Sequence, residues 1–261
     1  MFWMKRFFAD LGGTYLDSLR ALKALPWLFA AVIGWEFAQH VVEVQIGMFE
    51  SRDAAKAVSQ DGLRMAFGWI KMASIYIGAF FVIRHFAGQR DGRDLAPLAK
   101  AAKRFAPYFA YSMLMFAMFF YADDIVGSRN RDILMTTIGL SQLLIEPILM
   151  IWVVAAATDG SVRTPWTSAR RTGFLYLLAL PLFLLIRIPI NFLHQGLNNW
   201  AMAAEPAKLW TLLALDSVVV GLIVAIVPAA MVRVARWPEL RQNRRTGIRT
   251  ERFGAEKLGG T

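Results

Sequence analysis

Glu36, His40 and Glu43 sit in an otherwise apolar run, spaced by four and then three residues. A helix brings those steps back to nearly one angle, so the three side chains share a face. Such a face can supply two or three ligands to a metal ion or relay a proton. A metal would need further ligands, and His194, Asp123 and Asp124 are expected at the same depth. The spacing lacks the Glu-x-x-His signature of dimetal bundles. Four more ionisable residues interrupt apolar runs: Lys71, Glu146, Arg187 and Asp216. A charge at the centre of a membrane helix costs about 2.5–3.5 kcal/mol on insertion scales, so each calls for a partner, a water-filled cavity or a function. Structural pairing is the favoured expectation, with no metal and no cofactor. Glu36 is expected to pair with Lys71 or Arg187. Arg187 and Asp216, on consecutive spans, are expected to pair with each other, and Lys71 is able to snorkel outward without a partner. Pro147 directly after Glu146, Pro181 and Pro189 around Arg187, and Pro228 predict kinked helices.

The elements that must position these residues are six long apolar runs: Leu25–Glu43, Met65–Ile83, Phe105–Tyr121, Ile133–Ala157, Thr172–Phe192 and Leu209–Val232. About 20 residues of helix cross a hydrocarbon core of about 30 Å, and the third run barely reaches. Unpaired backbone groups in lipid leave helix as the state, and the alternation of a membrane barrel is absent. The fold class is therefore all-α: a polytopic membrane protein of six transmembrane helices. Lys and Arg outside the runs divide 21 to 6 between alternate sides. The rich side holds the N-terminal segment, the loops after the second and fourth runs, and the C-terminal tail. By the positive-inside rule both termini are cytoplasmic, in a bacterial inner membrane.

Mean hydropathy is +0.43, and 57% of the residues are apolar, both above the usual soluble range. The net charge of +10 lies in the cytoplasmic segments, where orientation alone requires it, so nucleic acid is not an expected partner. Anionic lipid headgroups are. The absence of cysteine excludes disulfides and thiolate metal sites. The N-terminal apolar run is long and carries Glu36, which reads as an uncleaved span rather than a signal peptide. Residues 1–237 form one membrane domain, and 238–261 a basic tail without apolar periodicity, expected to be disordered. The loop from Ile46 to Arg64 has room for one surface helix. Basic, partly apolar segments precede each outward-going span: Tyr15, Leu16, Leu19 and Leu22 before the first, Leu95, Leu98, Ala102 and Phe105 before the third, Trp166, Ala169 and Phe174 before the fifth. These predict interfacial lead-in helices on the cytoplasmic side of three helical hairpins.

With lead-ins such as Ser18-Leu19-Arg20-Ala21-Leu22-Lys23 and Thr167-Ser168-Ala169-Arg170-Arg171, each followed by a span, the chain resembles bacterial six-span proteins related to the membrane domain of glycerophosphoryl diester phosphodiesterases. In that family catalysis belongs to a separate soluble domain, so the resemblance implies no activity and carries over no functional residue. No nucleophile elbow, phosphate loop or zinc-protease helix pair is present. The expected function is non-catalytic organisation of membrane lipid or partner proteins. The alternative is a small-solute or ion transporter using buried charges on kinked helices.

Overall fold

A helix that is apolar on every side must be covered on every side. The computed structural model, which describes residues 1–90, 92 and 95–245 (Arg90 and Arg245 by backbone alone), puts such a helix at its centre. The chain forms eleven α-helices among the described residues: α1 Phe2–Ala24, α2 Pro26–Gln45, α3 Arg52–Ala57, α4 Gly62–His85, α5 Leu98–Phe120, α6 Ala122–Val126, α7 Arg131–Ala157, α8 Pro165–Thr172, α9 Tyr176–Ala201, α10 Pro206–Val234 and α11 Trp237–Arg245. The apolar window of α10 is 72% buried, against 28% for α4 with its extension and for α8–α9. It packs on α9 most extensively, then on α1, α4, α2 and α7. Away from α10, α2 meets α4 and α5 meets α7. Small residues set the close approaches. A Cβ on Gly78 of α4 would stand 2.8 Å from Val224, and one on Gly221 would stand 2.9 Å from Ile33 of α2.

Among the described residues, four helices are long and apolar enough to cross a membrane: α4 with its π-helical extension, α7, α9 with α8, and α10 with α11. A fifth candidate is α1 with α2, a pair bent by 95° at Leu25. Six spans were expected. The third run falls short because α5 stops at Phe120, and Lys103 and Arg104 occupy its first two turns. Its apolar part, Phe105 to Phe120, is only about 24 Å long at 1.5 Å per residue.

Two expectations, on the third lead-in and on the tail, need correction, while the prolines stand inside continuous helices. α5, α7, α9 and α10 run through Pro107, Pro147, Pro181, Pro189 and Pro228, and among the described residues the one pair of apolar helices bent beyond 40° at a short break is α1 with α2. Compensation is visible at Pro189, which has no N–H to offer the Leu185 carbonyl four residues back. Tyr15 of α1 donates its hydroxyl to that carbonyl at 3.0 Å. No separate lead-in helix precedes the third run, because α5 is continuous from Leu98 and buries Ala101, Phe105, Tyr108 and Ser112. The tail from residue 238 begins as helix: α11 is anchored by Trp237, fully buried, and by Leu240 against the core. Residues 246–261 of that tail lie outside the described residues.

The other lead-ins are helices. α1 turns Phe8, Leu16 and Leu19 outward. Its opposite face, Phe7, Asp10, Thr14, Asp17, Ser18 and Ala21, is buried. α8 is capped by Thr164, whose hydroxyl accepts from the Thr167 N–H. Its Ser168 hydroxyl accepts from Trp152 N–H at 3.2 Å and donates to the Ile148 carbonyl at 2.5 Å. Those are the two groups that one turn of α7 would otherwise join directly, so α8 is stitched into the α7 ladder. The loop after α2 holds α3, capped by the Ser51 hydroxyl accepting from Ala54 N–H.

Candidate functional site

The shared face of Glu36, His40 and Glu43 forms as the spacing predicts, and all three are buried. What it meets comes from three other helices. Asp216 of α10, fully buried, places Oδ2 3.1 Å from His40 Nε2. The other ring nitrogen of His40, Nδ1, lies 2.9 Å from Glu43 Oε2. Glu36 Oε1 stands 3.5 Å from His40 Nε2. From α9, His194 Nδ1 lies 2.6 Å from Asp216 Oδ1, and Asn198 donates to Asp216 Oδ2 at 2.8 Å. From α4, Lys71 donates to Glu36 at 3.1 Å and Arg64 to Glu43 at 3.2 Å. Gln39 also donates to Glu43, at 2.9 Å. The cluster therefore ties α2, α4, α9 and α10 together near the α2–α3 turn. Phe49 of that turn is edge-on to His40 at 6.2 Å, and its carbonyl accepts from Ala203 N–H at 2.8 Å in the α9–α10 turn.

Glu146 and Arg187 lie apart from this cluster. They form an ion pair between α7 and α9 beside a cavity of about 300 Å³. Tyr76, Tyr108, Ser112 and Asn191 contribute polar groups to its wall, and Met72, Ile75, Leu149 and Val224 apolar ones. Arg187, Gln142 and Asn191 also line a neighbouring groove between α7 and α9. The seven charged or polar residues singled out from sequence thus divide. Glu36, His40, Glu43, Lys71 and Asp216 form one network, and Glu146 with Arg187 another.

The expected Arg187–Asp216 pair does not form. His194 follows Arg187 by seven residues on the same helical face, about 10 Å nearer the turn, and occupies the level of Asp216. Arg187, two turns deeper, meets Glu146 instead. Lys71 does not snorkel free, because Glu36 faces it. Of the expected supplementary ligands, His194 reaches the cluster, whereas Asp123 faces Arg131 at 3.6 Å.

A third polar assembly escaped sequence reasoning. Arg233 at the end of α10 donates to Asp10 at 3.2 Å and to Asp17 at 2.7 Å, both on α1. Trp237 donates its indole N–H to Asp10 at 2.7 Å, and Arg6 does so at 2.5 Å. Both carboxylates are 1% exposed. The guanidinium of Arg233 passes over Gly13, where a Cβ would overlap it. The signal was present: Asp10, Thr14 and Asp17 repeat the four-and-three spacing of Glu36, His40 and Glu43.

Compared with family models, with curated proteins and with solved structures, the chain matches none. The chemistry must come from the geometry alone. Glu36, His40 and Asp216 are the one group among the described residues whose ligand atoms lie within 4.8 Å of one another in a manner suited to a metal ion.

Proposed function

We propose that the chain is a non-catalytic, six-span protein of the bacterial inner membrane that organises anionic lipid at the cytoplasmic leaflet. The observation that carries this reading is the dual character of the segments leading into α2 and α9. α1 exposes Phe8, Leu16 and Leu19, and α8 with the following turn exposes Trp166 and Phe174. Exposed Arg20, Lys23, Arg170 and Arg171 accompany them, with Arg170 lying over the Trp166 ring at 5.0 Å. Apolar groups that enter the acyl boundary beside cations that meet phosphates are what an interfacial anchor needs.

Several contacts support six crossings in three hairpins, with α5 as the short span and α2 alone as the first. α2 packs on α4, α5 on α7 and α9 on α10. One end of the bundle gathers Arg84, the Ala96 carbonyl and the Ala157 carbonyl, which Arg84 joins by bonds of 2.9 and 2.8 Å. The opposite end gathers Glu43 with Arg64, and Phe49 with Ala203. Arg233 and Trp237 return to α1, as an even number of crossings requires. A reporter fused at Gly127 is expected to be extracytoplasmic. The resemblance to phosphodiesterase membrane domains, which lack the catalytic unit, fits the same reading.

Each basic residue near an anionic surface contributes roughly 1 kcal/mol. The test is the lipid retained by the purified protein. Wild type is expected to carry phosphatidylglycerol in excess over its share of the membrane. The quadruple variant Arg20→Gln, Lys23→Gln, Arg170→Gln, Arg171→Gln is expected to lose that excess while remaining folded. An unchanged lipid complement in the variant refutes the reading.

The cavity beside Glu146 and Arg187 favours a second reading, transport of a small polar solute, since an ion pair exposed to a pocket within a helical bundle can bind one. Uptake by proteoliposomes that is abolished by Glu146→Gln would establish it in place of the first.

A further inference from the structure

We infer that Glu36, His40 and Asp216 form a binding site for a divalent transition-metal ion of the zinc type, a site separate from the lipid-facing segments. The inference rests first on geometry. Bonds of about 2.0–2.2 Å to a tetrahedral ion place its ligand atoms about 3.3–3.6 Å apart. His40 Nε2 stands 3.1 Å from Asp216 Oδ2 and 3.5 Å from Glu36 Oε1, and all three ligand atoms fall within 4.8 Å of one another.

The surroundings are those of a prepared site. A metal-ligating histidine hands its other ring N–H to a carboxylate, which fixes the tautomer and raises the basicity of the ligand nitrogen. Glu43 stands 2.9 Å from His40 Nδ1 and is itself held by Arg64 and Gln39. With that proton on Nδ1, Nε2 offers its lone pair to the space between Glu36 and Asp216. Without a cation there, three acceptors would face one another. The helices supply the rest of the second layer: Asn198 steadies Asp216, and Lys71 steadies Glu36.

An independent observation points the same way. Glu36 is 1% exposed, yet its Oε2 accepts no hydrogen bond of good geometry, although the Lys71 ammonium lies 3.1 Å away. Charge is compatible with this: Glu36, Glu43 and Asp216 face Arg64 and Lys71, and the third carboxylate is balanced either by a second proton on the His40 ring or by a bound cation that takes that proton's place. His194, one-third exposed at the edge of the cluster, offers a route inward and an imidazole able to complete the coordination.

The test uses the full-length protein in detergent, stripped with a chelator and titrated with Co²⁺, then with Zn²⁺ in competition. Expected are one ion per chain, a Co²⁺ visible spectrum of nitrogen–oxygen coordination, and displacement by Zn²⁺. Asp216→Asn is expected to abolish binding. Glu43→Gln leaves the three proposed ligands in place, replaces the carboxylate that faces the His40 ring proton and Arg64 by an amide, and is expected to weaken binding 10- to 100-fold, which keeps the test decisive if the first variant fails to fold. Glu146→Gln, in the other network, leaves binding unchanged. The inference is overturned if folded wild type takes up no stoichiometric metal, or if His40→Gln binds as tightly as wild type. None of these readouts involves anionic lipid, so failure here leaves the lipid reading intact, and the reverse also holds.

Discussion

Removing the Asp10 carboxylate is expected to be among the most destabilising single changes in the protein. Asp10 is 1% exposed and accepts from Arg233, Arg6 and Trp237. In Asp10→Ala, Arg233 keeps Asp17 at 2.7 Å, but the indole N–H of Trp237, a fully buried residue, loses its acceptor. Breaking a buried, hydrogen-bonded charge network from one side costs about 3–5 kcal/mol, and retention of Asp17 argues for the lower end. Arg6 is a useful contrast, because its side chain is 28% exposed and its hydrogen-bond partner among the described residues is Asp10. Pairs of that kind are worth about 0–1 kcal/mol. Reversible unfolding by SDS in mixed micelles, followed by circular dichroism, measures both. Asp10→Ala should exceed Arg6→Gln by at least about 2 kcal/mol, and Asp10→Ala combined with Arg233→Leu should cost less than the sum of the two. Equal, small effects from Asp10→Ala and Arg6→Gln would refute the idea that this carboxylate fastens α1 to α10 and α11.

Two other expectations follow from local geometry. Tyr15→Phe leaves the Leu185 carbonyl without its donor and should cost about 0.5–1.5 kcal/mol. In a Pro189→Ala background, where a backbone N–H is restored, the same change should be nearly neutral, and the SDS assay distinguishes the two cases. Asp159, in the loop after α7, is held below its ordinary value of 3.8, chiefly by the hydrogen bond from Arg104 and then by Lys100. Because the folded value is the lower one, its contribution is complete above the ordinary value and is lost as pH falls through the folded value. The protection factors of the amides in residues 158–164, taken relative to intrinsic exchange at each pH, should therefore fall on acidification in that window, and Asp159→Asn should remove that fall.

Helix positions were legible from apolar runs, since a run without the alternation of a barrel strand satisfies its backbone in lipid only as helix, and the i, i+4, i+7 face of Glu36, His40 and Glu43 needed only helical periodicity. Their partners were not legible, because Asp216 is 176 residues from His40, and its level depends on where the α9–α10 turn falls. A few residues of turn decide whether His194 or Arg187 meets it. The inward-facing carboxylates of α1 were missed for a different reason. Amphipathic lead-ins are ordinarily apolar toward the membrane and charged toward water. In α1 the acidic side faces α10 instead, which becomes apparent only once Arg233 is placed. The prolines leave their helices continuous, and a side chain such as Tyr15 can supply a donor that proline lacks.

The fastening of α1 to the end of α10 also sets an order of events during synthesis. Asp10 and Arg233 are 223 residues apart, and a ribosome adding 5–20 residues per second needs about 10–45 s to cover that interval. α1 is thus among the last of the described helices to find its seat. Arg233 must emerge before it can join Asp10 and Asp17, so docking of α1 reports that α10 has been delivered.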